Sequence, residues 1–213
     1  MPFVNLHNQT QYSILDAIIT PKTLFAKAKE LGQTAIAITD HGTLASTWNA
    51  FKASKDSKIK LLIGLESYFK FDIQDADERM KHIIFIAKNA VGYKNLLTIN
   101  KKGFDNNFFI GKRIYPVINW DILEQHSEGL ICLTACGNGI ISQLLMNKNT
   151  LGAEEVLLKL KKIFKDDLAI EVLANNMKRN ANIYNDEIDQ QFLNRALINL
   201  GKKHSIRIVP TSN

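Results

Sequence analysis

The chain has 213 residues, of which 46% are hydrophobic, two cysteines and a formal net charge of +6. This composition supports a packed globular core and excludes a disordered or disulfide-framed protein. The N-terminus MPFVNLHNQ is not a signal sequence, and no apolar run approaches the roughly 20 residues of a membrane helix. The expectation is therefore a soluble, cytoplasmic protein with reduced thiols.

In chain order, Phe3–Leu6 reads as a strand that runs into His7. Thr20 and Pro21 open a helix as N-cap and first helical residue, and Gly32 closes it. TAIAITD is a buried strand ending in Asp40, TLASTWNAFKAS is helical, and IKLLIGLE is a strand ending in Glu66. SYFKFDI alternates as a further strand would, and HIIFIAKN is another buried run. GYKNLLTINKK is helical, and the aromatic, glycine-containing stretch 103–116 is a loop or short hairpin. INWDILEQHSE is a short helix and GLICLTAC a strand; the helices GIISQLLMNK and GAEEVLLKLKKIF follow. LAIEVLA is a strand, residues 180–204 form a long helix, and IRIVPTSN is a last strand. About seven strands alternating with helices argue for one domain, a parallel α/β sheet or barrel, with its chemistry at the carboxyl ends of the strands.

Those strand ends carry particular residues. His7, Asp40 with His41 in TDHG, Glu66 and Cys136 each follow a strand. Imidazole, carboxylate and thiolate are ligands for divalent metals. Each also has an ordinary reading. A histidine at a strand end commonly serves a loop, Asp40 would cap a helix, Glu66 would be a surface charge, and Cys136 a small apolar residue. Their coincidence at one rim favours a metal site. His82 begins its strand instead of ending it, so that strand runs antiparallel or the barrel is distorted. His126 and His204 lie near helix ends and read as solvated, where the dipole suits them.

FVNLHNQTQYSILD, AIAITDHGTL, LLIGLESY, HIIFIAKNAVGYKNLL, EQHSEGLICLTAC and IRIVPTSN, in this order, resemble the N-terminal PHP (polymerase and histidinol phosphatase) domain of bacterial DNA polymerase III alpha subunits. The resemblance covers essentially the whole chain. It implies a distorted (β/α)7 barrel, with residues 1–213 an excised N-terminal part of a much longer polymerase. It further implies up to three divalent metal ions (zinc, manganese or magnesium) on one rim, and phosphoester cleavage in active members, including 3′–5′ exonuclease action. The family's ligands map onto His7, Asp16, His41, Glu66, His82 and Cys136. If the site is active, Asp40 and His41 are the catalytic candidates.

Three positions depart from the family pattern. Gln9 replaces the second histidine of a His-x-His pair, Asn213 an aspartate, and Asn175 a histidine that often follows the LEL strand. On an extended chain, residues 7 and 9 face the same way, so Gln9 offers a neutral amide where a second imidazole would grip the same ion. A phosphoesterase cluster needs anionic ligands and a metal-activated hydroxide, so the expectation is a reduced, partly occupied site. The domain would then be a scaffold within the polymerase, reaching DNA through the parent chain and docking a separate proofreading exonuclease subunit. The alternatives are an active metal-dependent exonuclease and, third, a stand-alone histidinol-phosphatase-like enzyme.

Overall fold

The computed structural model describes residues 3–106, 108–174 and 190–212. Among these residues nine strands run in chain order: β1 (Ala35–Ile38), β2 (Lys60–Phe69), β3 (Lys81–Ala87), β4 (Phe108–Ile110), β5 (Arg113–Tyr115), β6 (Val117–Ile118), β7 (Leu130–Leu133), β8 (Leu168–Leu173) and β9 (Arg207–Thr211). The helices between them are α1 (Pro21–Glu30), α2 (Thr47–Ser57), α3 (Ala90–Asp105), α4 (Trp120–Gln125), α5 (Ile140–Met146), α6 (Thr150–Phe164) and α7 (Gln190–Lys203).

Local chemistry explains the helix starts. Thr20 accepts the Thr23 N–H, with Pro21 in the first turn of α1. Asn89, Asn119 and Asn149 do the same for α3, α4 and α6. Each side-chain oxygen satisfies an amide that the helix itself leaves without a partner.

The main sheet runs β1-β2-β3-β7-β8-β9, with β6 beside β2. Its pairs are parallel except β2–β3 and β3–β7. The reversal of β3 answers the question raised by His82. Because β3 runs against its neighbours, its first residues lie at the rim where theirs end, and His82 pairs with Tyr68 of β2.

Two expected strands are not found as read. SYFKFDI is not separate, since Ser67–Phe69 continue β2 and the chain then leaves the sheet. Phe3–Leu6 is extended but forms no ladder. It is tied by single bonds: the Ala37 N–H donates to the Asn5 carbonyl (3.0 Å) and the Thr39 N–H to that of Asn8 (2.8 Å). On its other side, Asn5 Nδ2 donates to the Ser212 carbonyl (2.6 Å), and the Ser212 N–H returns a bond to Asn5 Oδ1 (3.2 Å). The N-terminal segment thus bridges the two edges of a curled half-barrel, with backbone bonds toward β1 and the Asn5 side chain toward β9. The stretch after α3 forms the hairpin β4–β5. The helix expected from residue 180 is described from Gln190 onward.

Strand alternation sorts the core. Ile84 and Ile86 face the barrel interior with Ala37, Leu133 and Ala169, whereas Ile83 and Phe85 lie in the larger core packed by the helices. A smaller cluster joins α1, α2 and β1 through Phe25, Ile36 and Ala50.

One close approach sets how α3 meets the β7 end of the sheet. A Cβ on Gly92 would lie 1.9 Å from the Gly129 carbonyl oxygen. Gly129 itself has φ +72°. Gly92→Ala should therefore destabilise the chain by about 3 kcal/mol in urea unfolding, the upper range for overpacking, because backbone blocks the methyl group. Gly32→Ala, at φ +68° with nothing within 4 Å, should cost only the left-handed strain of about 1 kcal/mol.

Candidate metal centre

The inner face of the barrel is apolar along most of its length and turns polar at one rim. On β2, Glu66 shares the inner parity of Leu62; on β3, His82 shares that of Ile84 and Ile86. On β8 and β9, Glu171 and Thr211 follow Ala169 and Val209 in the same way. The loops add His7 and Gln9 from the N-terminal segment, Asp16 from the next loop, His41 after β1 and Cys136 after β7.

Glu66 is the hub. It is fully buried, with its Oε2 2.9 Å from His7 Nε2, 2.7 Å from Gln9 Nε2 and 3.4 Å from His41 Nε2. Its Oε1 lies 3.0 Å from His82 Nδ1 but at an angle that makes no regular hydrogen bond. Cys136 Sγ is 3.9 Å from the same His82 nitrogen, and Asp16 Oδ2 is 4.0 Å from His41 Nε2. All six sequence-predicted ligand positions therefore form one connected group. His41, Glu66 and His82 are the tightest part, each offering an atom within 4.8 Å of the others.

Gln9 and His7 both reach Glu66, as their spacing predicts. The amide donates to the carboxylate, occupying with a neutral N–H a flank of Glu66 that a second imidazole would share with a cation. Asn175 and Asn213 lie outside the described residues.

Asp40 is also buried, but its contacts are with the loop. It accepts from the Thr10 N–H (2.6 Å), the Thr10 hydroxyl (2.9 Å) and the Ser13 hydroxyl (2.8 Å). The His41 N–H in turn donates to Ser13 Oγ at 3.0 Å. Asp40 thus fastens the segment that carries Asp16 to the turn that carries His41.

Two residues escaped the sequence reading. Glu171 Oε1 lies 2.7 Å from His7 Nδ1 and accepts the Thr211 hydroxyl at 2.5 Å. Within LAIEVLA, Glu171 is a single charge in an otherwise apolar strand. That was a usable signal, because an unpaired charge is rarely buried there. Thr211 gave none. The other histidines also differ from their solvated reading. His204 Nε2 is 2.6 Å from Glu154 Oε1, and His126 Nε2 is buried without a hydrogen-bond partner.

The protonation pattern follows from this geometry. Both His7 nitrogens face carboxylates, so both must carry protons to hydrogen-bond them. Burial opposes that charge, but Glu66 and Glu171 outweigh it and raise the His7 pKa to about 10. Burial likewise penalises ionised Glu66, yet the charge and hydrogen bonds of His7, with His82 and His41, hold its pKa well below the usual carboxylate range. For His41 burial prevails over Glu66, with nearby His82 adding to it, and the pKa falls. Burial, then Glu66, pushes the Cys136 thiol up to about 12.

The donor set fits a cation. Glu66 Oε1 and Glu171 Oε2 are buried carboxylate oxygens without hydrogen-bond partners, and His41 Nδ1 is a buried nitrogen in the same condition. Buried polar atoms are nearly always satisfied, and Glu66 Oε1 lies in the group where His41 and His82 also offer ligand atoms. His41, Glu66, His82 and Cys136 could ligate a metal directly, with His7 and Asp16 at its flanks.

Comparison with known proteins adds kinship to this geometry. The family description PHP domain matches residues 5–175. The chain is 36% identical over 222 residues to the DNA polymerase III subunit alpha of Aquifex aeolicus, and 31% identical over 217 residues to that of Borreliella burgdorferi. These alignments cover 99% of this chain and 18% of each relative, so the chain spans under a fifth of the length of the curated relatives it matches. Among solved structures, an amidohydrolase from Chromobacterium violaceum shares the fold at TM-score 0.58 and 12% identity, over 99% of this chain and 86% of that one. A protein described as a metal-dependent phosphoesterase from Bifidobacterium adolescentis does so at TM-score 0.50 and 20% identity, over 98% and 86%. The chain belongs to the PHP domain family.

Proposed function

We propose that this chain is the PHP domain of a bacterial replicative DNA polymerase, and that its rim holds a divalent metal in a reduced cluster. Its main task on this reading is structural: it braces the rest of the alpha subunit and docks a separate proofreading subunit in the cytoplasm, meeting DNA through the parent polymerase. Kinship to polymerase alpha subunits over 99% of the chain supports the polymerase assignment. The single observation that carries the reduced cluster is Gln9, whose amide donates to Glu66 Oε2 at 2.7 Å.

A bound divalent ion would supply positive charge and an activated hydroxide for phosphoester cleavage. The chain's own residues set how readily it enters. Glu66 presents a buried anion to His41 and His82, Cys136 lies beside His82, and Asp40 holds the loops in place. Gln9 adds no charge and no imidazole. A second reading, an active metal-dependent 3′–5′ exonuclease, is favoured by the continuity of the six ligand positions around Glu66. No helix among the described residues is long and apolar enough to cross a membrane.

The protonation pattern makes metal entry pH-dependent. With pKa values of about 10 and about 12, His7 and Cys136 both carry protons at neutral pH. A ligating cation must displace them. Zn²⁺ binding followed by calorimetry in two buffers of different ionisation enthalpy should show release of about one proton or more, and affinity should rise with pH. Binding without proton release would mean that neither group is a ligand.

Restoring the imaginable ligand tests Gln9. Gln9→His should tighten Zn²⁺ or Mn²⁺ binding by about tenfold or more, and Glu66→Gln should weaken it by at least as much. The scaffold reading expects no metal-dependent release of nucleotides from a labelled primer 3′ end by this chain. Release that Glu66→Gln abolishes would establish the exonuclease instead.

A further inference from the structure

Beside the Glu66 group, and opening from His41, lies a cleft of about 360 Å³ that none of the chemistry above uses. Its walls come from separate parts of the chain. The N-terminal loop gives Tyr12 and Ile14, the β1 turn gives His41, and β2 with the β4–β5 hairpin gives Tyr68, Arg113 and Tyr115. The rings are ordered. Tyr115 meets Tyr68 edge-on at 5.3 Å, and Tyr68 stacks on His41 at 5.6 Å with an interplanar angle of 13°. Tyr68 also meets His82 edge-on at 5.6 Å. An unbroken aromatic path thus runs from the hairpin to the metal-type residues.

The charge of the cleft points one way. Among the described lining residues Arg113 is the cation and none is a carboxylate, and the guanidinium stands 4.8 Å from the Tyr115 ring centre. The cleft is therefore suited to a ligand with a flat apolar part and a negative part. Its shape depends on the TDHG turn. Gly42 has φ +61°, and a Cβ there would fall 2.6 Å from Pro116 Cγ and 3.0 Å from Tyr68 Cε2. Glycine lets the turn close against Tyr68 and so sets the floor of the cleft.

We infer that this cleft binds a single unstacked nucleotide, with the base against Tyr115, the phosphate toward Arg113, and the far end toward His41. Aromatic side chains accept any base by its π-face, and a guanidinium matches phosphate geometry. The volume falls in the range of small-ligand pockets and suits one nucleotide rather than a duplex. The inference rests on the reading of the chain as a polymerase domain. It does not require that the metal centre cleave anything: a nucleotide held here would be a strand end parked beside the cluster, or a free mononucleotide.

The test is binding of a 5′-fluorescein oligothymidylate to this chain, followed by anisotropy in the presence of EDTA. The chelator removes metal chemistry, so a dead centre and an absent cleft give different results. Saturable binding is expected, weakened about tenfold or more by Arg113→Ala and by Tyr115→Ala, and retained by Tyr115→Phe, which keeps the ring. Lys29→Ala, far from the cleft on α1, removes the same charge as Arg113→Ala and should leave binding unchanged. Unlabelled dTMP should compete, and deoxyribose 5-phosphate, which lacks the base, should compete far less. Weaker competition by dTMP than by unlabelled oligomer assigns the strand end, and equal competition the free nucleotide. Absence of binding, an equal loss in Lys29→Ala, or equal competition by the base-free sugar phosphate would overturn the inference while leaving the polymerase assignment standing. Circular dichroism of each variant checks that it is folded.

Discussion

A fully buried carboxylate is costly unless its charge is answered, and Glu66 sits within strand β2 without access to water. The surroundings answer it from three directions: His7 and Gln9 from the N-terminal segment, His41 from the turn after β1, and His82 from the reversed strand β3. Removing one partner of such a buried pair typically costs about 3–5 kcal/mol, so these loops are bound to the barrel by their chemistry as much as by packing. His7 is itself held between two carboxylates, Glu66 and Glu171. The edge of the half-barrel and the rim of the site are consequently one structure, since the segment that bridges β1 and β9 is also the segment that delivers His7.

This coupling explains two departures from a simple strand count. A regular ladder at residues 3–6 would commit the segment's backbone to its neighbours. Bridging to β9 through the Asn5 side chain, with only spaced backbone bonds to β1, instead leaves the next residues free to turn inward toward Glu66. The antiparallel β3 has the same effect. A parallel strand in that place would put its first residue at the opposite rim, and His82 would be about a strand length from Glu66. Reversal brings it to 3.0 Å. The distortion of the barrel is thus the geometric condition for assembling the group.

The polar rim also divides its labour. Asp40 is as buried as Glu66, yet its carboxylate bonds only hydroxyls and one amide of the N-terminal loop. Glu66 meets imidazoles, an amide and a bare interior. Two carboxylates of the same rim therefore differ in what they can do: one fastens loops, the other presents a charge with an oxygen still unanswered. The neighbouring cleft extends the division, because its tyrosines continue from His41 and His82 while Arg113 lies on the hairpin.

Much of this was readable in advance. The alternation of apolar runs with helical segments specified an α/β domain, the cap residues Thr20 and Pro21 marked where a helix begins, and residue types at strand ends marked the rim. Motif order carried the family, and HNQTQYS, TDHG and GLES each supply a polar group to the rim. Gln9 was visible as a substitution, because residues 7 and 9 of an extended segment share a face. Other features could not be read. Strand direction depends on which neighbours a strand meets, so the reversal of β3 and the merging of SYF into β2 awaited the sheet. Glu171 acquires its meaning only from His7, 164 residues away in sequence. Sequence by itself determined which side chains are available and how far apart along the chain they stand. Only the tertiary structure decided which share a buried volume, because the energy of a buried charge depends on what surrounds it in space, and here a reversed strand and a side-chain bridge set those surroundings.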